Sequence, residues 1–215
     1  MNCWGRDVYG ETFNPADDDF RAIAAGNHHT CALNSAGLVS CWGISDESPG
    51  DFGQVSGAPE GAFKSLDAGM TVTCGVQLDG TLACWGDDRK GQLTNMPQDN
   101  SFLSVSVGND HVCGLKSDKS IACWGSTLDN NINDHGAVSQ APVDGSFIDV
   151  SAGYHHSCAV YSDGTPICWG SNAENQSEAP SHLSFQRIQA GKHHSCGLTI
   201  DNTIVCWGSD AFGLV

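Results

Sequence analysis

The sequence predicts an all-β propeller with five complete blades and part of another, and three observations predict it. One unit recurs five times at a period of about 38 to 45 residues, the range of propeller blades and of helical arrays. Inside each unit the apolar residues alternate with a period of two, as half-buried strands require. No segment carries a 3.6-residue period over a helical length, which sets the helical arrays aside.

Each unit opens on an apolar strand. Phe20, Phe63, Phe102, Phe147 and Phe185 stand three positions before Ile23, Leu66, Val105, Val150 and Ile188, and Gly26, Gly69, Gly108, Gly153 and Gly191 follow three later. A second strand carries Cys31, Cys74, Cys113, Cys158 and Cys196. A third carries Cys41, Cys84, Cys123, Cys168 and Cys206, each opening a Cys-Trp-Gly triplet. The triplet tryptophans, Trp42, Trp85, Trp124, Trp169 and Trp207, are expected in the core between blades, and Cys3-Trp4-Gly5 repeats the triplet near the start. The repeat glycines read as turn residues.

The turn between the second and third strands closes on Gly37, Gly80, Lys119, Gly164 or Asn202. A three-residue hairpin loop needs a left-handed last residue. Gly and Asn tolerate that conformation; Lys119 tolerates it less well and leaves the third loop type open. This register sets the two cysteines of a unit directly opposite, within disulfide reach. Zinc ligation by His-x-Cys is the rival reading, as in His29-x-Cys31 with Cys41. The second unit decides against it: Val72 stands where the histidine would, yet Cys74 and Cys84 keep their spacing. Five within-blade disulfides are therefore expected, with Cys3 left over. Residues 1–215 read as one propeller domain, with 1–19 ending a preceding blade and repeats over approximately 20–62, 63–101, 102–146, 147–184 and 185–215. The triplet duplicated near both ends suggests a fragment of a larger ring.

Composition narrows function. The formal net charge is −16, with only nine Lys and Arg, which disfavours nucleic acid and anionic membranes as partners. No stretch approaches the run of about 18 apolar residues that a bilayer-spanning helix needs. Paired cysteines point to an oxidising compartment, extracellular, cell-surface or periplasmic. No phosphate-binding loop, dinucleotide fingerprint or Gly-x-Ser-x-Gly elbow occurs, so no enzyme activity and no cofactor is expected. Asp17-Asp18-Asp19 lacks the spacing of a calcium loop and reads as a solvated turn.

Gly-x-x-His before an apolar strand, the Trp-Gly and Gly91-Gln92-Leu93 together resemble the repeat of the regulator of chromosome condensation family, whose members are β-propellers of about seven blades. The short period is most similar to that of the β-lactamase inhibitory propeller protein in that family. The resemblance covers essentially the whole chain and speaks to fold far more than to function. The nuclear relatives lack the paired cysteines, and the acidic balance here argues against a chromatin role.

Two sets of histidines follow from this register. His29, His111, His156 and His194 occupy the family's repeated position and are expected as buried imidazoles bonded to a neighbouring blade. His28, His155 and His193 lie one residue earlier, in a loop that changes from unit to unit. By resemblance to the inhibitory propeller, these loops form a partner-binding rim of Asn27, His28, Met70, Thr71, Asn109, Asp110, Tyr154, His155, Lys192 and His193. No built-in metal site is expected; His28, His155 and His193 would share an ion only weakly. The function expected is a non-catalytic binding module of a secreted or cell-surface protein with a protein partner. The rival readings are a lectin-like propeller binding a glycan and, less favoured, an intracellular exchange factor.

Overall fold

The computed structural model of the chain describes residues 2–13, 15, 19–126, 135–211 and 213. Asp17 and Asp18 lie outside them. Among the described residues, fifteen strands form five three-stranded antiparallel sheets, each a meander in chain order. The first strands are Phe20–Ala25, Phe63–Ala68, Phe102–Val107, Phe147–Ala152 and Phe185–Ala190. The second strands are His29–Asn34, Val72–Gln77, His111–Lys116, His156–Tyr161 and His194–Thr199, and the third run Val39–Gly43, Leu82–Gly86, Ile121–Gly125, Pro166–Gly170 and Ile204–Gly208. Each sheet is one blade, and the first strands of successive blades face one another.

The cysteines are cross-strand partners in every blade, and all five pairs are bridged: Cys31–Cys41, Cys74–Cys84, Cys113–Cys123, Cys158–Cys168 and Cys196–Cys206. Cys3 is free. The hairpin loops all take the three-residue form. Lys119 adopts φ 69° and so supplies the left-handed residue that its neighbours supply as Gly or Asn. Tertiary pairing enforces that strain: the Lys119 carbonyl accepts the Phe147 N–H of the next blade at 2.8 Å, as Gly37 accepts that of Phe63.

The blades pack face to face. The disulfide side of one blade, such as Cys113, Leu115 and Ile121, meets the Phe147, Val150 and Trp169 side of the next. The five tryptophans from Trp42 to Trp207 are buried, whereas Trp4 is 87% exposed. Each buried indole N–H donates to a loop carbonyl from the preceding segment: Trp42 to Glu11, Trp85 to Gln54, Trp124 to Gln92, Trp169 to Ala137 and Trp207 to Gln176, at 2.8 to 2.9 Å. The Gly-Gln stretch is thus a tether between blades. Gln54, Gln92 and Gln176 are buried, and each side chain closes its own loop by accepting a backbone N–H two residues upstream.

The repeat glycines are not turn residues in the left-handed sense. None of Gly26, Gly69, Gly108, Gly153 and Gly191 has positive φ. They are small because blades converge there: a Cβ on Gly26 would lie 2.6 Å from the Gly69 carbonyl oxygen, and one on Gly153 would lie 2.5 Å from that of Gly191.

Three of the four repeated histidines span a blade joint. His29 Nε2 lies 2.7 Å from Thr73 Oγ1, His111 Nε2 2.7 Å from Ser157 Oγ, and His156 Nε2 2.8 Å from Ser195 Oγ. Ser195 donates its own proton to the Gln176 carbonyl at 3.0 Å, so the His156 Nε2 must carry the proton that joins the pair. His194 in the fifth blade is only half buried. Between the second and third blades both partners change together: Val72 replaces the imidazole and Val112 replaces the hydroxyl, within one apolar cluster.

Candidate functional site: the rim after the repeat glycines

Five loops join first to second strands at one end of the blades. Their backbone is held within each blade, and in three of the loops toward the axis as well. The carbonyls of His28, Thr71, Asp110, His155 and His193 accept the N–H groups of Ile44, Asp87, Ser126, Ser171 and Ser209, the residues just past each Trp-Gly, at 2.8 to 3.0 Å. Toward the axis, Asn27 N–H donates to Met70 O at 3.3 Å, Asn109 to Gly153 O at 3.3 Å and Tyr154 to Gly191 O at 3.0 Å. Side chains at these two positions can change without disturbing a strand, because backbone hydrogen bonds hold the loops themselves.

The ten expected rim residues divide into two rows. Asn27, Met70, Asn109, Tyr154 and Lys192 line, with the glycines, a depression of about 440 Å³ where the first strands converge. The second row lies outside it. A neighbouring depression of about 420 Å³ joins Met70, Thr71, Asn109, Asp110 and Tyr154 to three residues that the repeat had not placed here, Asp87, Arg89 and Lys90. Tyr154 and Met70 thus border both, as does Asn109.

Tyr154 is the centre of an aromatic and cationic group. Its ring packs edge-on to His155 at 4.3 Å and lies 6.4 Å from His193, with Lys192 Nζ 5.1 Å above it. His135 stacks obliquely on His155 at 4.3 Å. Burial, and then the neighbouring His135, hold the His155 imidazole below its ordinary pKa. Arg89 pairs with Asp87 (Nη2–Oδ2 2.6 Å) and covers the Phe52 ring at 4.3 Å. Burial would raise the Asp87 carboxyl, but the guanidinium overrides it and holds the group below the usual range. On the opposite side His28 contacts the Tyr9 ring at 5.1 Å and Glu11 at 3.6 Å.

The three rim histidines do not converge. His28 sits with Tyr9 and Glu11, while His155 and His193 flank Tyr154. Among the described residues no group of three or more His, Cys, Asp or Glu side chains is disposed to hold a metal ion. The missed residues, Glu11, Asp87, Arg89, Lys90 and His135, come from the segments after each Trp-Gly. Those segments differ in length from unit to unit, so the repeat did not align them; the adjacent Arg89-Lys90 in a cation-poor chain was the one signal.

Comparison with known proteins agrees with this architecture. The model of the regulator of chromosome condensation (RCC1) repeat matches residues 20–54, 102–131, 147–176 and 185–214. The unmatched stretch includes the unit with Val72. Among solved structures, the entire ectodomain of the receptor kinase CR4 from Physcomitrella patens is 28% identical with a TM-score of 0.75, over 97% of this chain and 56% of that one. The CRINKLY WD40 ectodomain of the Arabidopsis thaliana receptor kinase ACR4 is 24% identical with a TM-score of 0.73, over 96% of this chain and 71% of that one. Yeast RCC1 (Prp20), solved bound to Kap60, shares the fold at 17% identity and a TM-score of 0.69, over 89% of this chain and 56% of that one. This chain therefore spans little more than half the length of the moss ectodomain. No curated protein matches it by sequence.

Proposed function

The chain belongs to the regulator of chromosome condensation repeat family, and on that premise we propose that it is a non-catalytic, extracellular or cell-surface binding module whose protein partner is engaged at the glycine-loop rim. One observation carries the reading: five loops, all fixed by intra-blade backbone hydrogen bonds and three of them also by inter-blade ones, present four different side chains at the five positions of the first row. Rigid scaffolds that vary their loops are suited to recognition. The five disulfides and the likeness to the moss receptor-kinase ectodomain support the compartment. A lectin repeating one pocket per blade would repeat its pocket residues. Here the first row reads Asn, Met, Asn, Tyr, Lys, which favours one composite surface.

Tyr154 is the best anchor, half-buried, aromatic and polar at its tip. Cross-linking and pull-down from extracellular fluid, run beside a glycan array, test the proposal. With a captured protein in hand, Tyr154→Ala should cost on the order of 2 kcal/mol of affinity. A partner that binds Tyr154→Ala and His155→Ala normally, but is lost on changing Ala36 or Asp163 at the hairpin end, would place recognition on the other face. Binding to glycans alone would favour the lectin reading.

A further inference from the structure

Asn175-Gln176-Ser177 is the one Asn-x-Ser/Thr tripeptide in the chain with x other than Pro. It falls in the tether loop of the fifth blade. The central residue is fully committed: Gln176 is 2% exposed, and its carbonyl accepts from both Trp207 and Ser195. The flanking asparagine is not. Asn175 is exposed, its backbone turns through φ 60°, and among the described residues its carboxamide makes no hydrogen bond. The equivalent residues before Glu11, Gln54, Gln92 and Ala137 are Gly10, Gly53, Gly91 and Gly136, all with positive φ. Four loops therefore work with no side chain here, and the fold asks nothing of the Asn175 carboxamide beyond tolerance of the left-handed region.

We propose that Asn175 is an N-glycosylation site, a reading that rests on passage of the chain through a secretory compartment. The donor is a lipid-linked oligosaccharide diphosphate. A bond forms between Asn175 Nδ2 and the anomeric carbon of the first sugar, the bond from that carbon to the phosphate oxygen breaks, the lipid diphosphate leaves with the electron pair, and Nδ2 gives up one proton to solvent. Transfer precedes closure of the loop, since Ser177 Oγ afterwards donates to the Ser171 carbonyl at 2.9 Å. Folding then leaves the sugar on an exposed turn without burying it. The loop begins at Ser171, whose N–H is bonded to His155 O at 2.9 Å, so the glycan stands beside the fourth and fifth rim loops. It would screen their outer side and leave the axial depression around Tyr154 open.

Expression in a eukaryotic secretory host, followed by intact mass with and without peptide-N-glycosidase, tests the site. One removable oligosaccharide is expected, with deamidation at position 175 after its release. Asn175→Gly should remove the whole mass shift while melting like the parent, because glycine serves the four equivalent turns; Ser177→Ala should remove it too. Secreted chain with five disulfides and no sugar overturns this inference and leaves the binding proposal standing. Chain that is retained with free thiols counts against the extracellular reading and takes this inference with it.

Discussion

Between the first and second blades a buried imidazole bridges the joint, His29 to Thr73, whereas between the second and third the same two positions are Val72 and Val112 and meet within an apolar cluster. Both joints close at the same glycines and both carry a disulfide on one side. The difference teaches that the family histidine is not a requirement of the fold. It is one half of a pair, and what must be kept is agreement between a blade and the next: donor with acceptor, or methyl with methyl. Changing one member alone leaves a buried polar group without a partner, which costs more than losing both.

The largest effect expected is in the valine joint. Trp124 is 3% exposed, packs on Phe102 at 6.1 Å and donates to Gln92. Trp124→Ala should cost about 3–5 kcal/mol in denaturant unfolding, whatever the rim binds. Next comes acid. Burial holds His29 and His156 as neutral imidazoles with pKa values of about 4, below the ordinary 6.5. Their folded pKa is depressed, so the unfolded chain binds protons first as pH falls. Stability is full above about pH 6.5 and is lost progressively through about pH 4, by up to about 3 kcal/mol for each histidine. Asp67 and Asp149, whose carboxyls burial holds above the usual range, work in the opposite direction and recover stability as they protonate. Amide exchange between pH 7 and 4 should therefore loosen the first–second and fourth–fifth joints before the valine joint. A uniform loss over all blades would break the comparison.

A smaller effect sharpens it. His29→Val should cost about 1–3 kcal/mol, and adding Thr73→Val should recover most of that, reproducing the second joint in the first. A double variant no more stable than the single would show that Thr73 answers to something other than the imidazole. Lys119→Gly should raise stability by about 1 kcal/mol by relieving a left-handed lysine, read as a shift of the denaturation midpoint. Last, Tyr154→Ala should move stability by less than about 0.5 kcal/mol, since the rim backbone and not its side chains holds the loops.

Much of this was legible in the residues. The cysteine register rests on period-two alternation and a fixed interval, both local, and all five bridges form as read. The histidine joints were half legible. That the imidazoles face a neighbouring blade followed from their repetition, but the covariation of Val72 with Val112 needed the knowledge that each blade reads the residue beside its neighbour's histidine position. Lys119 misled because propensity is a local preference, and the inter-blade bond from Phe147 outweighs it. The repeat glycines were read as turns because close approach leaves no mark of its own in sequence.

By itself, then, the sequence determined the blade: three short strands, their register, the disulfides and the aromatic positions, all set by alternation and turn chemistry within a single unit. Only the tertiary structure decided what passes between units. Five first strands converging at one end bring glycine carbonyls to within 2.6 Å of where a neighbouring Cβ would stand, and they gather Tyr154, Lys192 and His155 from consecutive loops. Arg89 and Lys90 join them because the segment after Trp85-Gly86 folds back on the Thr71 carbonyl. The segments that carry them are about 40 to 100 residues apart in the chain, and a repeat states what each unit is without stating how units meet.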